Sequence, residues 1–159
     1  MSCLRVLFFL ALTATLYGQR GTFDLKGSIG ATSFVDEDAE NHLHTSVAGR
    51  IYLTRRFSVE PEFQYLNQSS RHDDLVLAGN LAWDFRTGRV IPYVSGGLGW
   101  MRSRFKGFTP TFSSDEGFIQ LGGGAKIYLT DSWFISPEAR VGWEPHIRVS
   151  VGIGYTFRR

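Results

Sequence analysis

Four histidines stand among carboxylates in the hydrophilic stretches of this 159-residue chain. His42 and His44 follow Asp36, Glu37, Asp38 and Glu40; His72 precedes Asp73 and Asp74; His146 comes shortly after Glu144. Imidazole with carboxylate is a donor set for Zn²⁺ or Cu²⁺, and the His42-x-His44 spacing puts two rings on one side of an extended segment. The same rings change charge between about pH 5 and 8. Ordinary solvated loop side chains account for the cluster more simply, so no metal or other cofactor is expected. Ser69, Ser70 and His72 invite a nucleophile–base reading. A nucleophile needs its base and an orienting acid in contact, and this hydrophilic stretch offers no oxyanion hole. No catalytic residue is assigned and no enzymatic activity is expected.

A second group of charges falls at even spacings: Asp24 and Lys26, Glu60 and Glu62, Glu138 and Arg140, with Arg50, Asp84, Lys126 and Arg148 standing singly. Placed on one side of a sheet, these cations and acids would form a salt-bridge network, with Arg50, Glu60, Glu62, Lys126, Glu138 and Arg140 at its heart. Each charge would need a partner, because an isolated one away from water is costly. Glu62 and Glu138 are the expected partners of Arg50 and Lys126.

Strands must hold these residues in line. The chain ends in VSVGIGYTFRR, where Val149, Val151, Ile153, Tyr155 and Phe157 alternate with Ser150, Gly152, Gly154 and Thr156. That period of two is a strand signal. It recurs over 22–35, 45–54, 57–66, 74–85, 90–104, 117–129 and 133–143, and no stretch carries a helical period. Eight strands result. The connections alternate between tight (near Arg55, RTGR, near Asp131) and mostly longer (36–44, 67–73, 105–116, with a short EPH at 144–146). Such alternation predicts an antiparallel up-and-down meander with both termini at the tight-turn end. IYLT at 51–54 recurs at 127–130, and Pro61-Glu62 recurs as Pro137-Glu138, both 76 residues later. A duplicated hairpin and two independent solutions of one turn problem both fit. Pro61, Pro92 and Pro137 fall near the tight-turn ends, where a missing ladder donor is tolerated.

Side-chain size decides which face is inside. The polar face is rich in Ser28, Gly30, Ala48, Ala78, Gly97, Gly99, Gly122, Gly124 and Gly152. A solvated strand has no need of such small residues, whereas a narrow eight-stranded bore does. Aromatics of the apolar face sort into two bands. Trp83, Trp133, Tyr155 and Phe157 lie near the tight turns, and Trp100 and Trp143 near the longer loops. An aliphatic band between two aromatic girdles predicts an all-β, eight-stranded transmembrane barrel facing outer-membrane lipid. Arg102 and Arg104, on the outward parity at the long-loop end, would reach toward lipid headgroups. The loop KGFTPTFSSDE offers Phe108 and Phe112 for recognition.

The first residues, MSCLRVLFFLALTATLYGQR, carry Arg5 and an apolar run from Val6 to Leu16. The run fits a signal peptide and is too short for a transmembrane helix. The domain division is therefore 1–18 signal peptide and 19–159 barrel. Cleavage near Gly18 removes Cys3, the single cysteine, and with it any disulfide. A formal charge of +2 gives no reason to expect a nucleic-acid partner.

PYVSGGLGW (92–100), GGGAKIYLT (122–130) and VGIGYTF (151–157) resemble the small eight-stranded outer-membrane β-barrel family of Gram-negative bacteria, over nearly all of residues 21–159. The resemblance implies an integral outer-membrane protein whose final strand, ending in the aromatic Phe157, is read by the outer-membrane assembly machinery; here Arg158 and Arg159 follow it. Lipid A deacylases of similar barrels use a His, Ser and acid set, and no His-x-Ser-Asn stretch occurs in this chain. The expected protein is a monomer with periplasmic termini, extracellular loops, a plugged polar interior and a structural or surface-interaction role. A small channel or solute-binding barrel is the alternative.

Overall fold

The computed structural model describes residues 22–34, 41–69, 72–105, 112–143 and 146–157. The expected signal peptide (1–18), the acids of 36–40, Ser70, Phe108, Glu144 and the terminal arginines lie outside these residues. Eight antiparallel strands follow chain order around a closed barrel: β1 (Phe23–Phe34), β2 (Asn41–Tyr52), β3 (Phe57–Ser69), β4 (His72–Asp84), β5 (Val90–Phe105), β6 (Phe112–Tyr128), β7 (Trp133–Gly142) and β8 (His146–Phe157). β1 closes on β8, from Phe23 opposite Phe157 to Phe34 opposite His146. Closure removes the sheet edges whose unpaired N–H and C=O groups lipid cannot satisfy.

Tight connections cover 53–56, 85–89 and 129–132. In the second, Gly88 has φ +135°, a conformation that favours a residue without Cβ. At the other end the strands run further than the sequence pattern suggested. β2 begins at Asn41, β3 and β4 extend to Ser69 and His72, and β5 and β6 pair out to Phe105 opposite Phe112. All four histidines therefore lie in strands rather than loops. The apolar alternation fades in these segments, but backbone pairing does not depend on it, and the ladders continue beyond the membrane-facing band.

Outward positions are apolar all round the wall, with Leu25, Ile29, Val47, Leu77, Leu98, Leu121, Val141 and Val151 exposed. Near the tight turns Trp133 meets Tyr155 edge-on (5.2 Å between ring centres), Tyr155 meets Phe157 (4.8 Å), and Phe157 sits beside Phe23 (5.8 Å). At the other end Trp100 and Trp143 face outward, Trp143 being 81% exposed. A surface this apolar fits hydrocarbon, not water.

The inward glycines do more than keep the bore narrow. A Cβ on Gly99 would run into the ring of Phe118, one on Gly154 into Phe134, and one on Gly142 into His146. Each glycine is a slot in which a large inward side chain of the paired strand lies flat, a device that lets big residues share a small bore. The inward face is accordingly not uniformly polar: Leu66, Val76, Ile91, Phe118 and Phe134 are buried there.

The 76-residue echo is a structural one. Ala48 pairs with Glu62 and Ile51 with Val59; in the second copy Gly124 pairs with Glu138 and Ile127 with Ile135. Between these rungs neither ladder has a paired residue, and there the outward Pro61 and Pro137 supply no N–H. Thr54 Oγ1 accepts from the Phe57 amide (2.9 Å), and Thr130 Oγ1 from the Trp133 amide (3.0 Å). Strand order puts these two hairpins on opposite sides of the barrel.

Candidate functional site

Ten charged side chains meet inside the barrel, all buried: Lys26, Arg50, Lys126, Arg140 and Arg148 with Asp24, Glu60, Glu62, Asp84 and Glu138. Their formal charges cancel. Nearest the tight turns, Lys126 Nζ lies 3.3 Å from Asp24 Oδ2 and 3.2 Å from Asp84 Oδ2, and it donates to the Tyr52 hydroxyl. Tyr52 donates in turn to Asp24 (2.9 Å).

Arg50 links this level to the next. Its Nη1 is 3.3 Å from Asp84 Oδ1, while Nη2 and Nε reach Glu60 Oε2 at 2.7 and 2.8 Å. Its guanidinium also sits 4.2 Å from the centre of the Tyr93 ring, a cation–π distance. Arg140 gathers three carboxylates: Glu60 at 2.7 Å, Glu138 at 3.1 Å and Glu62 at 3.2 Å. Lys26 bonds Glu138, which also accepts from Tyr93 and from Ser136 (3.2 Å). Highest in the bore, Arg148 Nη2 donates to Glu62 (3.2 Å), and its Nη1 lies 3.5 Å from His44 Nε2.

The open space follows the same order. A vestibule of about 500 Å³ opens at the tight-turn end, bordered by Tyr52, Asp84, Lys126 and Tyr128. Among Asp24, Lys26, Arg50, Glu60 and Lys126 it gives way to a void of about 10 Å³. That is room for about one water molecule.

The predicted charges come together, but with different partners from those expected. Arg50 takes Glu60 and Asp84, not Glu62; Lys126 takes Asp24 and Asp84, not Glu138. Register explains the first exchange, because the β2–β3 pairing sets Glu62 against Ala48 and so brings Glu60 level with Arg50. On β7 the corresponding residue is Ser136, which has no charge to hold Lys126, and its ammonium reaches across the bore instead. Tyr52, Tyr93 and Ser136 were missed as members, although they share the inward parity of the charges on their own strands.

Of the four histidines, His44 and His146 have described side chains. His44 is fully buried against Arg148. His146 lies over Gly142, edge-on to Phe118 at 5.9 Å. His42 and His72 occupy β2 and β4. No group of three or more His, Cys, Asp or Glu residues able to hold a metal is found among the described residues. On the outer wall Arg102 is gripped by Asp115 through two bonds of 2.9 and 3.2 Å, with its guanidinium 5.0 Å from the Trp100 ring centre.

A closed, eight-stranded barrel with an apolar outer wall and a charged, neutral interior defines a small transmembrane β-barrel. The chain belongs to the outer membrane protein beta-barrel domain family, which it matches over residues 2–157. No curated protein matches it. Among solved structures it resembles Neisserial surface protein A (10% identity, 86% of this chain and 97% of that one, TM-score 0.72). It also resembles the N-terminal barrel of Pseudomonas aeruginosa OprF (15%, 87% and 100%, TM-score 0.67). A third likeness is to Ail, the attachment invasion locus protein of Yersinia pestis (14%, 87% and 100%, TM-score 0.60). The protein is an outer-membrane barrel.

Proposed function

We propose that this barrel is a monomeric, non-catalytic membrane anchor whose interior is a plug and whose extracellular rim makes the contacts that matter, in envelope integrity or surface interaction. The observation that carries the reading is the interlocked set of ten charges filling the bore. Each of the ten has an oppositely charged partner inside the bore, and eight-stranded interiors are close to filled by side chains. Two barrels of the same shape carry "surface" or "attachment" in their names, which supports a role at the rim. Both described ends of the chain lie at the tight-turn end, and the reading places them in the periplasm.

Planar-bilayer recording tests the plug: the wild type shows no reproducible ohmic step, and a step abolished by blocking the lumen overturns the reading. An epitope inserted between Lys106 and Gly107 is labelled on intact cells, while a C-terminal epitope is labelled only after the outer membrane is opened. The vestibule of about 500 Å³ favours the alternative, a small channel or a barrel that admits a polar solute from the tight-turn side.

A further inference from the structure

Above Arg148 the bore changes character. Leu66, Val76, Ala78 and Phe118 form an apolar cluster on the inner wall, with Met101 packed against it. Thr32 and Arg148 pair on β1 and β8, Gln64 lies beside Leu66 and pairs with Val76, and these three line a pocket toward the long-loop end with Leu66, Val76, Met101 and Phe118. Three buried atoms of these polar residues have no hydrogen-bond partner: Thr32 Oγ1, Gln64 Nε2 and Arg148 Nε. Their residues are 2%, 4% and 3% exposed. Buried polar groups in native proteins are nearly always paired, so an orphaned set calls for an occupant.

The orphans agree on what they need. Gln64 Nε2 and Arg148 Nε can only donate, and a hydroxyl can. All three therefore ask for an acceptor. Arg148 adds a charge that is thinly compensated: among the carboxylates of the described residues it touches Glu62, shared with Arg140, whereas Arg140 touches three. The apolar residues ask for hydrocarbon. The pocket is narrow, about 20 Å³, so an occupant must be slender and the wall must give. Met101, unbranched and readily rearranged, is the wall residue that gives way. Glu116 borders the pocket in an exposed position, where water and salt screen its charge.

We propose that this pocket binds a short, unbranched monocarboxylate, with the carboxylate on Arg148, Gln64 and Thr32 and the alkyl chain along Leu66, Val76, Met101 and Phe118. The site lies on the opposite side of the charge network from the vestibule, and it goes beyond the plug reading because occupancy requires no flow.

The test is titration of hexanoate into the barrel in lipid nanodiscs, read from the methyl signals of Leu66, Val76 and Met101. The expected result is saturable shifts of those methyls, with hexanol at least tenfold weaker. Gln64→Leu weakens hexanoate by about tenfold, the worth of one hydrogen bond to a charged group. Val76→Phe fills the pocket and abolishes the shifts, while unchanged gel migration of the unboiled variant shows that its barrel is intact. Methyls that do not respond overturn the proposal and leave the pocket to water. Hexanol equal to hexanoate, or binding that survives Val76→Phe, overturns it as well. Conductance is a separate readout, so failure here is distinguishable from failure of the plug.

Discussion

Hairpins β2–β3 and β6–β7 share a turn, a register and an outward proline, yet their inward residues part company at several positions, Ser58, Glu60 and Gln64 of β3 answering to Phe134, Ser136 and Arg140 of β7. β3 carries Glu60 where β7 carries Ser136. Glu60 holds Arg50 at 2.7 Å and Arg140 at 2.7 Å, whereas Ser136 leaves Lys126 to reach Asp24 and Asp84 across the bore. The difference teaches that the two faces of this wall are specified separately. Turn threonines, prolines and outward apolar residues set the hairpin, and the lumen can be rewired without disturbing it.

The comparison breaks most sharply at Glu60. Glu60→Ala leaves Arg50 and Arg140 each short of a buried carboxylate and is expected to cost about 3–5 kcal/mol. The measurement is the urea midpoint at which the heat-modifiable gel band disappears in lipid vesicles. Lys126→Met removes the cation between Asp24 and Asp84 and is expected to cost about 3 kcal/mol; Arg50 still serves Asp84, which keeps the loss below that of Glu60→Ala. The equivalent change on the other hairpin, Ser136→Ala, removes a neutral hydroxyl and costs about 1 kcal/mol in the same assay. Thr54→Ala and Thr130→Ala each lose two turn bonds to backbone amides. They should match one another at about 1 kcal/mol, and unequal losses would show that the two turns are not equivalent. Pro61→Ala and Pro137→Ala face outward where the ladder is already open and should shift the midpoint by less than about 0.5 kcal/mol.

Much of this wall is legible in the chain because outward and inward residues obey one rule, a period of two, and because lipid demands an apolar face. VSVGIGYTF reads correctly residue by residue for that reason. Strand ends were harder: beyond Tyr65 and before Leu75 the pattern fades, but pairing continues to Ser69 and His72. His44 shows the cost, since a residue that looks like loop solvent is a buried partner of Arg148. Salt-bridge partners were not legible at all where they cross the bore. Parity says that Lys126, Asp24 and Asp84 point inward, but only the closed ring brings β6, β1 and β4 within reach of one ammonium. The apolar cluster around Phe118 escaped because a polar interior was assumed for every inward position.

Every strand contributes to the central network: Asp24 and Lys26 from β1, Arg50 from β2, Glu60 and Glu62 from β3, Asp84 from β4, Tyr93 from β5, Lys126 from β6, Glu138 and Arg140 from β7, and Arg148 from β8. The consequence is one of timing. A sheet still open between β1 and β8 would bring Asp24 and Lys26 to the membrane before Lys126 and Glu138 had met them, and lipid penalises such unpaired charge heavily. Half-zipped forms have no resting place in the bilayer, so insertion and the last seam must be completed together, and a barrel once sealed has no gradual way to come apart.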